Sequence, residues 1–519
     1  EKVARRGLGL STFVSAGNRA DVSGNDLLQY WEEDDNTEVV LLYLESIGNP
    51  RKFSRVARRL ARRKPVLVVK SGRSRRGAPH GHVVRETRAP AAAIDALFRQ
   101  AGVIRVESIH QLFDIGQLVA HQPLPTGRRV AVLGNSDALS VLAADACDEA
   151  GLELIGEPLQ LGADASATDF QTALAAVFED PNVDSVVALF IPPLTTRDED
   201  VAQVLAAAAR RGSKTVVSTF LGMRGVPEGL RSPGGLHAVP SYATPEDAVR
   251  ALAAVTDYAG WRARPAGHSI EPPGLDVVSA RALVAATLGE REHVELDQET
   301  VTRLLACYGI ELWPTVPVTD VTAALEAAER VGFPVALKTL APHLRHRSDL
   351  GGVVLNIANK REMRSAFSGM AARLGPGSAD HFVVQRMAPT GVAAVVGSVE
   401  DPLFGPVVSF GLGGVATELL GDRTYRIPPL TDVDVRDLVR SVRAAPLLFG
   451  HRGAERVDVA ALEDLLSRVA HLADDLSEVA ELELNPVLVS PSGVSVLAAS
   501  GRLAQSTART DRGPRALPW

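Results

Sequence analysis

Short runs of almost unbroken apolar residues recur through the first half of the chain: Val39–Leu44, Val66–Val69, Val130–Leu133 and Val186–Ile191. A strand with one wet face alternates apolar and polar residues. These runs do not alternate, so both faces must be covered, as they are when parallel strands are joined by helices packed on either side. The intervening segments supply such helices, one over Arg51–Arg63 and another beginning at Pro245. In the second, Thr244 serves as N-cap, proline takes the first helical position, and Glu246 and Asp247 follow early. A proline-bearing seam, Gln122–Gly127, interrupts the pattern, which restarts at Arg129. The first half therefore reads as two successive flavodoxin-like α/β domains, 1–122 and 123–265.

Residues 266–289 contain Pro272, Pro273 and Gly274 and read as a linker. A third domain of α+β texture is expected over 290–499. It opens with a helix that places Val301, Leu304, Leu305 and Tyr308 on one face and closes at Gly309. Glycines then cluster at Gly351–Gly352 and at Gly411, Gly413 and Gly414. The stretch 500–519 is polar and arginine-rich and reads as a disordered tail.

Charge narrows the partners. The 62 acidic and 55 basic residues leave a net charge of −7, without the concentrated basic excess of a nucleic-acid binder. The basic run Arg51–Arg76 is read as a solvated helix face and a phosphate-facing loop. Cys147 and Cys307 are 160 residues apart in helical patterns, which points to buried thiols in a reducing cytoplasm. The sequence holds no apolar run of 18 residues and opens without a signal peptide, so no membrane partner is expected. Beginning on Glu1, inside a helical phrase, the chain reads as a fragment with an N-terminal portion missing.

Phosphoryl chemistry requires positive charge and a metal site, and the third domain has residues for both. Lys338 ends the apolar run Val335–Leu337. Glu483 and Asn485 stand two apart, so a strand presents both oxygens on one side, suited to Mg²⁺. Glu481 shares that side. The ordered set Val335–Lys338, His346–Val353, Phe404–Val408, Gly411–Val415 with Glu418 and Asp422, and Glu481–Pro486 resembles the ATP-grasp domain of ADP-forming acetyl-CoA synthetases, relatives of succinyl-CoA synthetase. Upstream, Gly17–Asp21, Leu44–Glu45, Lys70–Arg73 and Phe98–Val103 resemble the same family, which thus covers nearly the whole chain except the tail.

The resemblance implies an acyl-CoA synthetase. Such an enzyme interconverts acyl-CoA, ADP and phosphate with carboxylate, CoA and ATP by a phosphohistidine relay. ATP/ADP and the acyl-CoA or carboxylate are the implied partners, with homo-oligomer formation left open. CoA is expected to need the family's first domain, which this sequence lacks. Lys338, Gly411, Gly413, Gly414 and Glu418 are the implied nucleotide residues, and Glu483 and Asn485 the implied Mg²⁺ ligands. His346 matches the family's second phosphohistidine. His82 stands one residue out of register with the first, in a loop without the usual Thr-Gly, and Glu45 matches the acid that orients it. Two further departures are Ala393, where the family commonly has Glu, and the loop Gly134–Asp137, whose Asp137 would cap a helix but repel a phosphate. A second reading remains open, that of a catalytically degraded, synthetase-like regulatory region of a protein lysine acetyltransferase that senses ATP or CoA.

Overall fold

The computed structural model describes residues 3, 6–15, 22–44, 47, 49–70, 90–193, 196–221, 224–231, 238–341, 351–375, 377–402, 404–414 and 419–506. Glu45, His82, His346 and Glu418 lie outside the described residues. The chain divides into two compact units, residues 1–84 with 97–265 and residues 85–96 with 266–519. No helix among the described residues is long and apolar enough to cross a membrane.

In the first unit, β1 (Val40–Leu44), β2 (Val66–Lys70) and β3 (Ile104–Val106) form a parallel sheet in that order. Val66, Leu67 and Val68 are fully buried, as an unbroken apolar run requires. A second parallel sheet is built from β4 (Arg129–Gly134), β5 (Glu153–Leu154), β6 (Leu159–Gln160), β7 (Ser185–Phe190) and β8 (Thr215–Phe220). Its order is β5-β4-β7-β8, with β6 also on β4. The winding reverses between β4 and β7, so their carboxyl ends flank a switch point. There Asn135 receives the Ile191 N–H at 2.8 Å and donates to the Ile191 carbonyl at 2.8 Å, pinning the two loops together. The cap of the following helix, Asp137–Glu149, is Ser136 rather than Asp137, which is the helix's first residue. Thr244 caps Pro245–Ala263 as its sequence predicts.

Gly102, from the phrase Phe98–Val103, is required by its backbone and by its neighbour. Its φ is +69°, and an added Cβ would lie 2.3 Å from the Trp261 ring. That ring cannot retreat easily: the Arg62 guanidinium sits 4.4 Å above it and Tyr258 stacks on it. Gly102→Ala is expected to cost ~3 kcal/mol, combining left-handed strain with overpacking. The lowered midpoint should appear in thermal unfolding followed by circular dichroism, and an unchanged midpoint would contradict the packing described.

The second unit is antiparallel. One sheet runs β10 (Thr315–Val318), β13 (Phe382–Arg386), β11 (Val335–Thr339), β12 (Val353–Ile357). The other runs β16 (Arg423–Arg426), β15 (Gly405–Leu412), β14 (Val392–Asp401), β17 (Val479–Ser490), β19 (Ala499–Ala504), β9 (His293–Glu295), with β18 (Gly493–Val496) also on β17. Two expectations need correction. The presumed linker 266–289 contains the helix Val277–Leu288, capped by Asp276, because Ala280, Val284 and Leu288 form an apolar stripe buried in this unit's core. The presumed tail begins with β19, an inner strand in which Gly501 and Leu503 are buried while Ser500 and Arg502 alternate with them. Cys147 is buried, which pushes its thiol up to about 11, whereas Cys307 is only half-buried.

Candidate nucleotide and metal site

Lys338 stands on β11, between β12 and β13, opposite Val353 and Val383. Val335 and Leu337 turn into the core between sheet and helices, which leaves Ala336 and Lys338 on the opposite face. Burial pulls the Lys338 ammonium down to about 8 from its ordinary 10.5. Its Nζ donates to Gln385 Oε1 at 2.5 Å. Gln385 is 1% exposed and donates through Nε2 to the carbonyls of Trp313, at 3.0 Å, and Leu497, at 3.2 Å.

Glu483 and Asn485 lie on β17. Leu482 and Leu484 on the same strand enter the core of this unit, so the two polar residues that alternate with them share the other face. Asn485 Nδ2 donates to Glu483 Oε1 at 2.8 Å. Opposite Glu483 stand Gly397 on β14 and Ser500 on β19, small residues that do not crowd the carboxylate. No further side-chain hydrogen bond engages either residue among the described ones. Glu481, by contrast, is an exposed carboxylate 3.5 Å from Arg502.

A carboxylate and an amide oxygen are the hard ligands Mg²⁺ prefers. Among the described residues no group of three or more His, Cys, Asp or Glu is placed to hold a metal. Two protein oxygens with the rest of the shell from phosphate and water is the arrangement typical of a metal delivered with a nucleotide, so the pair fits the group.

The Glu483–Asn485 pair and the lysine are connected. Leu497, whose carbonyl holds Gln385, donates its own N–H to the Pro486 carbonyl at 3.0 Å, and the Asn485 N–H donates to the Ala498 carbonyl at 3.0 Å. The glycines are placed differently. A Cβ on Gly411 would meet the Asp422 carbonyl and Arg423 at 3.0 Å, and one on Gly413 would meet Ala393 Cβ at 3.2 Å. The Gly413 N–H also donates to the Ala393 carbonyl at 2.8 Å. Both glycines thus accommodate neighbouring strands of the same sheet, while Gly414, at φ +120°, needs glycine for its backbone. Asp422 receives the N–H groups of Arg443 and Ala444, each at 2.9 Å, and so fastens that turn.

Gln385 and Trp313 escaped the sequence reading. The available signal was a polar residue at the end of the apolar run Phe382–Val384, at a position the sheet buries.

The family model for an ATP-grasp domain matches residues 287–503, and that for a succinyl-CoA ligase like flavodoxin domain matches residues 1–119. The ADP-forming acetate–CoA ligase I of Archaeoglobus fulgidus is 35% identical, over 95% of this chain and 74% of its own. The ADP-forming 4-hydroxybutyrate–CoA ligase of Nitrosopumilus maritimus is 29% identical, over 95% and 74%. Among solved structures, the dinucleotide forming acetyl-coenzyme A synthetase 1 of Ca. Korarchaeum cryptofilum, in complex with coenzyme A, Ca-AMPCP and HgCl+, is 34% identical. It covers 43% of this chain and 99% of that one, with a TM-score of 0.39.

Proposed function

Because this chain belongs to the ADP-forming acyl-CoA synthetases, a ligase family, we propose that it interconverts acyl-CoA, ADP and phosphate with carboxylate, CoA and ATP, by way of phosphohistidine. The observation that supports this most is the 35% identity to an ADP-forming acetate–CoA ligase across 95% of the chain. Relatives that are ligases by name favour this reading over a regulatory one.

Each residue has a part in the proposed chemistry. Lys338 offers its charge to the nucleotide phosphates, and Glu483 with Asn485 would hold Mg²⁺, which would neutralise charge on those phosphates. His346 attacks the γ-phosphorus through an imidazole nitrogen; the bond to the ADP oxygen breaks and the ring gives up its proton. The phosphoryl group passes to His82, oriented by Glu45, and then to the carboxylate, giving an acyl phosphate. Attack by the CoA thiol releases phosphate. Acetate is the substrate expected from the A. fulgidus relative.

The metal assignment is tested by nucleotide titration. Glu483→Ala and Asn485→Ala are each expected to weaken ATP binding about tenfold or more in Mg²⁺ and hardly at all in EDTA. Calorimetry distinguishes the outcomes: equal losses in both conditions would make the pair structural. Folded wild type that binds no ATP would remove the nucleotide assignment altogether.

A further inference from the structure

Gln385 has a geometry that a packing residue does not need. It stands on β13 opposite Ala336 on β11, two positions along from Val383, which is opposite Lys338. Gln385 and Lys338 therefore lie diagonally on one face of the four-stranded sheet, within reach of long side chains.

The orientation of its amide is forced. Both hydrogen bonds of Nε2 end on carbonyls, Trp313 at 3.0 Å and Leu497 at 3.2 Å. Turning the amide over would set its oxygen against those two acceptors and its NH₂ against an ammonium. Only one orientation satisfies all three partners, and it points Oε1 at Lys338 Nζ.

The choice of an amide also has chemical meaning. A carboxylate at this position would neutralise Lys338 and compete with an incoming phosphate. An apolar residue would leave a buried ammonium without an acceptor, which is costly. A neutral acceptor holds the lysine in place and leaves its charge uncompensated. We propose that Gln385 is a positioning residue for the nucleotide reaction, aiming Lys338 and tying it through Leu497 to the strand that bears Glu483 and Asn485. This rests on the reading of Lys338 as a phosphate ligand.

The test is a double-mutant cycle on Mg·ATP affinity in the full chain, measured by calorimetry, with Gln385→Met, Lys338→Met and the pair. Gln385→Met should weaken binding about tenfold. The same change made on Lys338→Met should cost less than twofold, because the amide acts through the lysine. Gln385→Glu should weaken binding at pH 7 and move the alkaline fall in affinity to higher pH, a shift that loss of packing alone would not produce. Multiplicative losses in the double variant, or an unmoved pH profile in Gln385→Glu, would overturn the inference. So would failure of both Gln385 variants to fold, which would make the amide purely structural. If Lys338→Met itself binds ATP as wild type does, it is the phosphate-ligand reading that fails. If Lys338→Met is weak and the Gln385 variants are normal, only the positioning role fails.

Discussion

Lys338→Met is expected to weaken Mg·ATP binding at pH 7 by about tenfold to a hundredfold, the worth of a charge-assisted hydrogen bond to phosphate. The wild-type affinity should also depend on pH in a direction the geometry fixes. In the empty site burial holds the lysine at about 8. Below that pH the ammonium is already charged and binds phosphate directly. Above it the empty site is neutral, so binding must take up a proton, and affinity falls as pH rises through 8, approaching tenfold per unit. The same depressed value means that the unfolded chain holds the extra proton between about 8 and its ordinary 10.5, so this group's contribution to stability rises with pH across that window. Calorimetry in two buffers of different ionisation enthalpy counts the protons taken up. A flat affinity from pH 7 to 9.5, or a Lys338→Met variant that keeps the slope, would show that another group is responsible.

The largest expected effect falls on the histidines. Incubation with labelled ATP and Mg²⁺ should leave an acid-labile, base-stable phosphoryl group on the wild-type chain. His346→Ala should reduce that labelling by roughly a thousandfold or more, since it removes the nucleophile proposed to meet ATP first. His82→Ala should label normally and lose turnover of acyl-CoA instead. Ordinary labelling of His346→Ala would reverse or abolish the proposed order. If His82→Ala alone turns over normally, its displaced register has taken it out of the relay. A wild type that neither labels nor turns over would return the regulatory reading.

How much of this was visible in the amino-acid sequence depended on the range of the interaction. The run Val66–Val69 identified a strand covered on both faces because its four side chains carry that information locally. The spacing of Glu483 and Asn485 likewise implied a shared face, and the two side chains do meet. The helix Val277–Leu288 was hidden behind the proline-rich start of its segment, although Ala280, Val284 and Leu288 have helical spacing. The strand β19 reads as a tail because Ser500 and Arg502 set its polarity, and only pairing with β17 and β9 reveals its inner position. Gln385 was the least legible. Its carbonyl partners lie 72 and 112 residues away along the chain, and no local pattern announces contacts of that span.

The place of β19 has a consequence for the order in which the second unit can be completed. Its neighbours are β17 and β9, and β9 is residues 293–295, roughly two hundred residues earlier. During synthesis β9 emerges early and waits. Around Glu483 the strand acquires its second neighbour only when residues 499–504 have left the ribosome, so the residues proposed to hold the metal are flanked on both sides last of all. Pairings of such long sequence separation are slow to form, because the loop entropy is lost before the contact is gained. The first unit, whose described strands all lie before residue 221, carries no such dependence, and can be finished while β17 is still open along Glu483.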